Sequence, residues 1–137
     1  MLGPWRGQPA WLRALALIFV ALLAYGTVIH VAQLLLDGGK PHPGLPGWLG
    51  TYFVSLTLLD PLAAVLLARC RRTGVGLAVL VFVTDAAANA IANYAYDDSV
   101  DVTLGRVGQA LLTVLAVTAV VAAPAMWRAA AGHDVAR

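Results

Sequence analysis

Thr57-Leu-Leu-Asp60-Pro61-Leu-Ala-Ala-Val-Leu-Leu-Ala-Arg69-Cys70-Arg71-Arg72-Thr73-Gly74-Val75-Gly-Leu-Ala-Val-Leu-Val-Phe-Val-Thr84-Asp85 decides the fold. Two apolar runs converge on a short arginine-rich turn, and each run carries one aspartate. Extended outward, each reaches the length of about 20 helical residues that crosses a hydrocarbon core of about 30 Å. Two further runs of the same kind flank them, so spans are expected at 14–36, 48–68, 75–96 and 107–127.

The composition agrees with this reading. The 137 residues are 61% hydrophobic and only 12% charged, about half the charged share of a soluble domain, and the mean hydropathy is +0.80. The expected fold class is all-α: an integral membrane four-helix bundle forming a single domain over 1–137. A signal peptide is the alternative for the first run, because Arg6 and Arg13 precede it. The run continues well past a typical apolar signal core and no small-residue cleavage site follows, so an uncleaved anchor is expected.

Charge gives the direction. Arg6, Arg13, Arg69, Arg71, Arg72, Arg128 and Arg137 fall on one side of the expected spans. Lys40 and Arg106 fall on the other, together with Asp37, Asp97, Asp98 and Asp101. The positive-inside rule therefore places both termini (N-in/C-in) and the 69–74 turn in the cytoplasm. Eight of the nine basic residues are arginine and glutamate is absent, a bias of high-GC bacterial genomes, so the expected location is a bacterial inner membrane. The net charge of +2 sits beside apolar runs as a topology signal, and no nucleic-acid partner is expected. Trp5, Trp11, Trp48 and Trp127 lie near span ends, as interfacial aromatics do. Residues 1–9 and 130–137 are expected to be loose.

Cys70 is the single cysteine, so no intramolecular disulfide can form. Its arginine neighbours favour a thiolate, and its position suits palmitoylation; a bystander is the plainer reading. No paired His/Cys spacing or cofactor motif occurs, so neither a metal nor a cofactor is expected. The first outer connection, 37–47, is dense in glycine and proline. The second, 97–106, is acidic, but its spacing matches no EF-hand loop.

Ionisable groups inside a span cost about 2.5–3.5 kcal/mol each and call for a reason. Counted from the outer span ends, Asp60 lies about 18 Å deep and Asp85 about 16 Å. The two acids are thus expected at one level, on neighbouring antiparallel helices and facing each other. Asn89, Asn93 and Tyr96 fall within about 80° of Asp85 on its helix, and Tyr52, Phe53 and Thr57 within about 80° of Asp60. His30 and Gln33 share a face of the first span, and Gln109 and Thr113 a face of the fourth. Nearly all these polar groups belong to the outer half or the centre of the membrane, which points to a pocket open outward or sideways. Pro61 removes the hydrogen bond to the Thr57 carbonyl and is expected to kink the helix beside Asp60. Asp60 and Asp85 are the candidate catalytic pair; Asn89, Asn93, Tyr52, Thr57, His30 and Gln33 are the candidate ligand-binding residues. A plainer role stands beside this one. Polar residues in spans often only hydrogen-bond helix to helix, at an average near 0.6 kcal/mol per contact. His30, about 9 Å from its span end, also suits the headgroup layer, and Tyr52 an aromatic belt.

Four spans with cytoplasmic ends, Pro46-Gly-Trp48 leading into the second span, Asp60-Pro61 within it and Thr84-Asp85 in the third together form a pattern. It resembles the EXPERA superfamily, which includes the sigma-2 receptor and emopamil-binding sterol isomerases. The resemblance covers about residues 12–128 and implies a lipid-accessible pocket for a sterol-like or cationic amphiphile. The chain departs from the pattern in its aspartate, and in having His30 where an acid is expected in the first span.

Two carboxyls close together in low dielectric cannot both ionise cheaply. Such a pair is suited to three tasks: binding an organic cation, acid–base isomerisation or cyclisation of a lipid or terpenoid, or proton exchange for a substrate. The leading expectation is a bundle whose outward or lateral pocket binds a small hydrophobic or cationic amphiphile among membrane lipids. The alternatives are a small homo-oligomeric proton-coupled transporter subunit and a non-catalytic membrane assembly partner.

Overall fold

The computed structural model describes residues 3–38, 42 and 44–134. Lys40, Arg137 and much of the first outer connection lie outside the described residues. A short 3-10 turn, Gly3–Trp5, precedes four helices: α1 Ala10–Leu36, α2 Gly47–Ala68, α3 Arg72–Ala95 and α4 Leu104–Asp134. All four are long and apolar enough to cross a membrane, and the described residues contain no strand. The chain is a four-helix membrane bundle.

Helices satisfy their own backbone polar groups, which apolar surroundings demand. Local chemistry sets the boundaries. Pro9 and Pro46 precede α1 and α2, where a missing N–H is harmless. At α4 the Thr103 hydroxyl accepts a hydrogen bond from the Arg106 backbone N–H at 3.2 Å, satisfying one of the unpaired donors of a first turn. α2 continues unbroken through Pro61, and α4 through Pro124.

The helices pack in chain order, α1 on α2, α2 on α3 and α3 on α4. Phe19 of α1 also meets Phe82 of α3 edge to face, with ring centroids 5.3 Å apart. Leu12, Phe19, Leu23, Leu49, Leu56, Leu67, Val81 and Phe82 form much of the buried core. From α4 the core takes mainly alanines, Ala116, Ala119 and Ala122, which let its backbone come close to α3. Leu17, Leu22, Leu58, Leu80, Leu111 and Val121 point outward, the surface a membrane bundle offers to lipid.

One end of the bundle carries the 69–72 turn and is called here the arginine end; the other, with the 96–103 connection, is the acidic end. At the arginine end the Cys70 N–H donates to Leu67 O and the Arg71 N–H to Leu66 O, at 2.9 and 3.1 Å. This is a Schellman closure, with Cys70 in the left-handed region at φ 55°, where glycine is usual. Gly74 lies directly on the α2 backbone at Leu66 and Leu67, so close that a Cβ there overlaps both. The Arg72 guanidinium stands 5.9 Å above the Trp127 ring and joins the ends of α3 and α4.

Two expectations are corrected at this end. Trp5 is no interfacial aromatic: it is fully buried, and its indole N–H donates to Leu67 O at 2.9 Å. The described part of the N-terminal segment is therefore tied to the end of α2. Nor does α4 stop at 127, since it runs to Asp134 with Ala129 and Ala130 buried. Trp5→Phe keeps most of the packing and loses the hydrogen bond, so it should cost about 1 kcal/mol. Trp5→Ala should cost about 3–5 kcal/mol. Thermal unfolding in detergent separates the two.

At the acidic end Arg106 holds the connection between α3 and α4. Its guanidinium donates to the Asp101 and Ser99 carbonyls and lies 5.3 Å from the Tyr94 ring centroid. Hydrogen bonds from Ser99 hold the Asp97 carboxyl below its ordinary value. No three His, Cys, Asp or Glu side chains among the described residues gather in a metal-binding group.

Candidate functional site

Asp60 is the buried acid of the bundle, with 4% of its surface exposed. Its carboxylate lies against α1 at Gly26, where an ideal Cβ would stand 2.6 Å from Oδ2. One turn further along α1, His30 Nε2 approaches the same oxygen to 3.9 Å. That is ion-pair range and beyond hydrogen-bond length. No described residue donates a hydrogen bond to the Asp60 carboxylate. His30 is itself under-satisfied, for its buried Nδ1 has no hydrogen-bond partner.

Aromatic rings close this corner toward the acidic end. Phe53, one face of α2 above Asp60, stacks on His30 at 6.2 Å and 22°. Tyr52 and His42 meet Phe53 edge to face, at 5.6 and 5.0 Å. His42 thus brings the first outer connection over the site. Its φ of 43° is a left-handed conformation.

Asp85 belongs to a second polar line along α3. Asn89 Nδ2 donates to Asp85 Oδ1 at 2.8 Å and to the Asp85 carbonyl at 3.0 Å. Asn93 Nδ2 donates in turn to the Asn89 carbonyl at 2.9 Å, and the Asn93 carboxamide packs directly on Gly105 at the start of α4. Asn93 therefore serves the α3–α4 junction. The Tyr52 hydroxyl donates to Thr84 Oγ1 at 2.8 Å and links the Asp60 helix to the residue before Asp85.

The two acids are not level. Gly74 packs on Leu66 and Leu67, which fixes the α2–α3 register. Asp60 lies six to seven residues from that contact and Asp85 eleven, so Asp85 sits about 7 Å nearer the acidic end at about 1.5 Å per residue. Counting from span ends missed the offset because the expected ends, Trp48 and Tyr96, stand about one turn apart in this register.

Of the expected binding residues, His30, Tyr52 and Asn89 lie beside the acids. Thr57 turns its hydroxyl back to the Val54 carbonyl at 2.7 Å, and Gln33 is exposed. Gly26, Thr84 and His42 are site neighbours that were not among the expected residues. Gly26 was legible as a small residue one turn from His30; a loop histidine such as His42 leaves no periodic signal.

Gly26→Ala tests the close approach of α1. The obstacle is the tip of a two-torsion side chain, so the carboxylate should move and the fold survive. Stability should fall by about 1 kcal/mol, the low end of overpacking, while any ligand affinity that depends on Asp60 should fall roughly tenfold. Melting curves and a binding isotherm on one preparation measure both.

Comparison with known proteins finds no matching family model, no matching curated protein and no matching solved structure.

Proposed function

We propose that the chain is a multi-pass protein of a bacterial inner membrane, with both termini cytoplasmic, that binds a cationic amphiphile at Asp60. The observation that carries this reading is a buried carboxylate to which no described group donates a hydrogen bond. Burying an acceptor of that kind is costly unless a partner arrives. An ammonium group supplies both the missing donor and the opposite charge. Phe53, Tyr52 and the imidazole rings provide aromatic surface of the kind that attracts cations. A hydrocarbon tail would extend between the helices into lipid. The resemblance to the EXPERA pattern in Trp48 and Asp60-Pro61 agrees with a pocket for such a molecule.

The test is binding of a long-chain tertiary amine to the protein in nanodiscs, compared with a neutral molecule of the same shape. The amine should bind at least tenfold more tightly, and Asp60→Asn should abolish that margin. Equal binding of the two probes by the unaltered protein would rule the reading out.

The 3.9 Å approach of His30 to Asp60 favours one second reading, acid–base isomerisation or cyclisation of a lipid or terpenoid. There the histidine and the acid exchange a proton with the substrate, and Asp85 faces the developing cation. This reading requires turnover by the purified protein alone, lost in both His30→Ala and Asp60→Asn.

A further inference from the structure

α3 and α4 flank an open cleft of about 440 Å³ whose lining does not include Asp60. Ala86, Ala90, Ala116, Val120 and Val121 supply much of its wall, and Gln109 lies toward its acidic end. Gln109 is only 6% exposed. Its Nε2 donates to the Ala86 carbonyl at 2.8 Å and to Thr113 Oγ1 at 3.1 Å. Its Oε1 is buried and accepts no hydrogen bond. Turning the amide over would set Oε1 against the Ala86 carbonyl, acceptor to acceptor, so the network fixes which atom is left unpaired.

The cleft has the length of one hydrocarbon chain. From Gln109 to Val121 the lining covers twelve residues, about 18 Å at 1.5 Å per residue, and one leaflet of the hydrocarbon core is about 15 Å deep. The cleft is open along its side, where Val117, Val120 and Val121 are exposed. At the top a lone acceptor waits for a donor, and below it the wall is alanine and valine.

We propose that this cleft is a lipid site for a single aliphatic chain with a hydroxyl head, the hydroxyl donating to Gln109 Oε1 at the acidic-end leaflet. Quaternary ammonium heads have no donor, and phosphate oxygens only accept, so neither satisfies that atom. The oxygen is sealed from water, so the ligand reaches it by parting the α3–α4 seam locally. The site is independent of Asp60.

Oleyl alcohol and oleyl methyl ether differ only in the donor and are the probes. With the full chain in phosphatidylcholine nanodiscs, the alcohol should bind at least tenfold more tightly than the ether. Gln109→Met, which removes Oε1, should bring the two to parity. Val120→Trp fills the cleft from an exposed position and leaves the Gln109 hydrogen bonds intact; it should abolish binding of both. The proposal is overturned if the unaltered protein binds both probes alike, if the preference survives Gln109→Met, or if Val120→Trp still binds. It is equally overturned if the chain dimerises through this face and the alcohol does not compete.

Discussion

Asp60→Leu should raise the thermal stability of the protein and at the same time remove its affinity for an amphiphilic amine. Leucine has the same branching as aspartate, and Gly26, against which the carboxylate lies, presents no side chain to it. The substitution exchanges a buried acceptor without donors for an apolar group in an apolar setting. Replacing buried ionic groups with apolar ones of similar volume is often neutral or stabilising by about 1–4 kcal/mol. A purely architectural Asp60, bonded to its surroundings, would respond in the opposite sense and lose stability on the same change. Unfolding in detergent and amine binding in nanodiscs, measured on Asp60→Leu and Asp60→Asn together, distinguish these outcomes. Lower stability in Asp60→Leu with unchanged binding would remove Asp60 from the site.

Gly74→Ala should be the most damaging single methyl group in the chain. The atoms it meets are the backbone of Leu66 and Leu67, which cannot rotate aside as a side chain can. The first turn of α3 would have to leave α2, where the Schellman closure at Cys70 allows little play. Overpacking usually costs about 1–3 kcal/mol, and backbone on backbone belongs at the upper end, about 3 kcal/mol. Gly108→Ala is the matched control. Nothing lies within 4 Å of a Cβ there, so the better helix former should be neutral or stabilise by up to about 1 kcal/mol. Unfolding midpoints of the two variants in one detergent test the contrast.

The helices were legible because length and apolarity alone define them, and the apolar runs around Asp60 and Asp85 needed nothing else. Their ends were less so. Trp5 reads as a belt aromatic because its partner, the Leu67 carbonyl, is remote in sequence. The last turns of α4 read as a loose tail because Arg128 marks a charge boundary, although the alanines after it favour helix. At the site, sequence reasoning singled out His30, Asp60 and Asp85 and missed how they group. It paired the two acids, since consecutive helices must be neighbours. In the structure the group nearest the Asp60 carboxylate is on α1, brought close by the absence of a side chain at Gly26. Asp85 is occupied by Asn89, one turn along its own helix. Register and rotation between helices depend on such contacts, and hydrophobic periodicity does not carry them.

The bond from the Trp5 indole to the Leu67 carbonyl also bears on how the chain is made. The acceptor is translated 62 residues after the donor, when α1 has been made and the end of α2 is only just being added. Until then the Trp5 indole lacks this acceptor, and the first helix precedes the contact that ties its leading segment down. The second helix, once complete, acts as the latch. Nascent chains halted before residue 67 should leave Trp5 open to protease or quencher, and chains halted well beyond it should protect it.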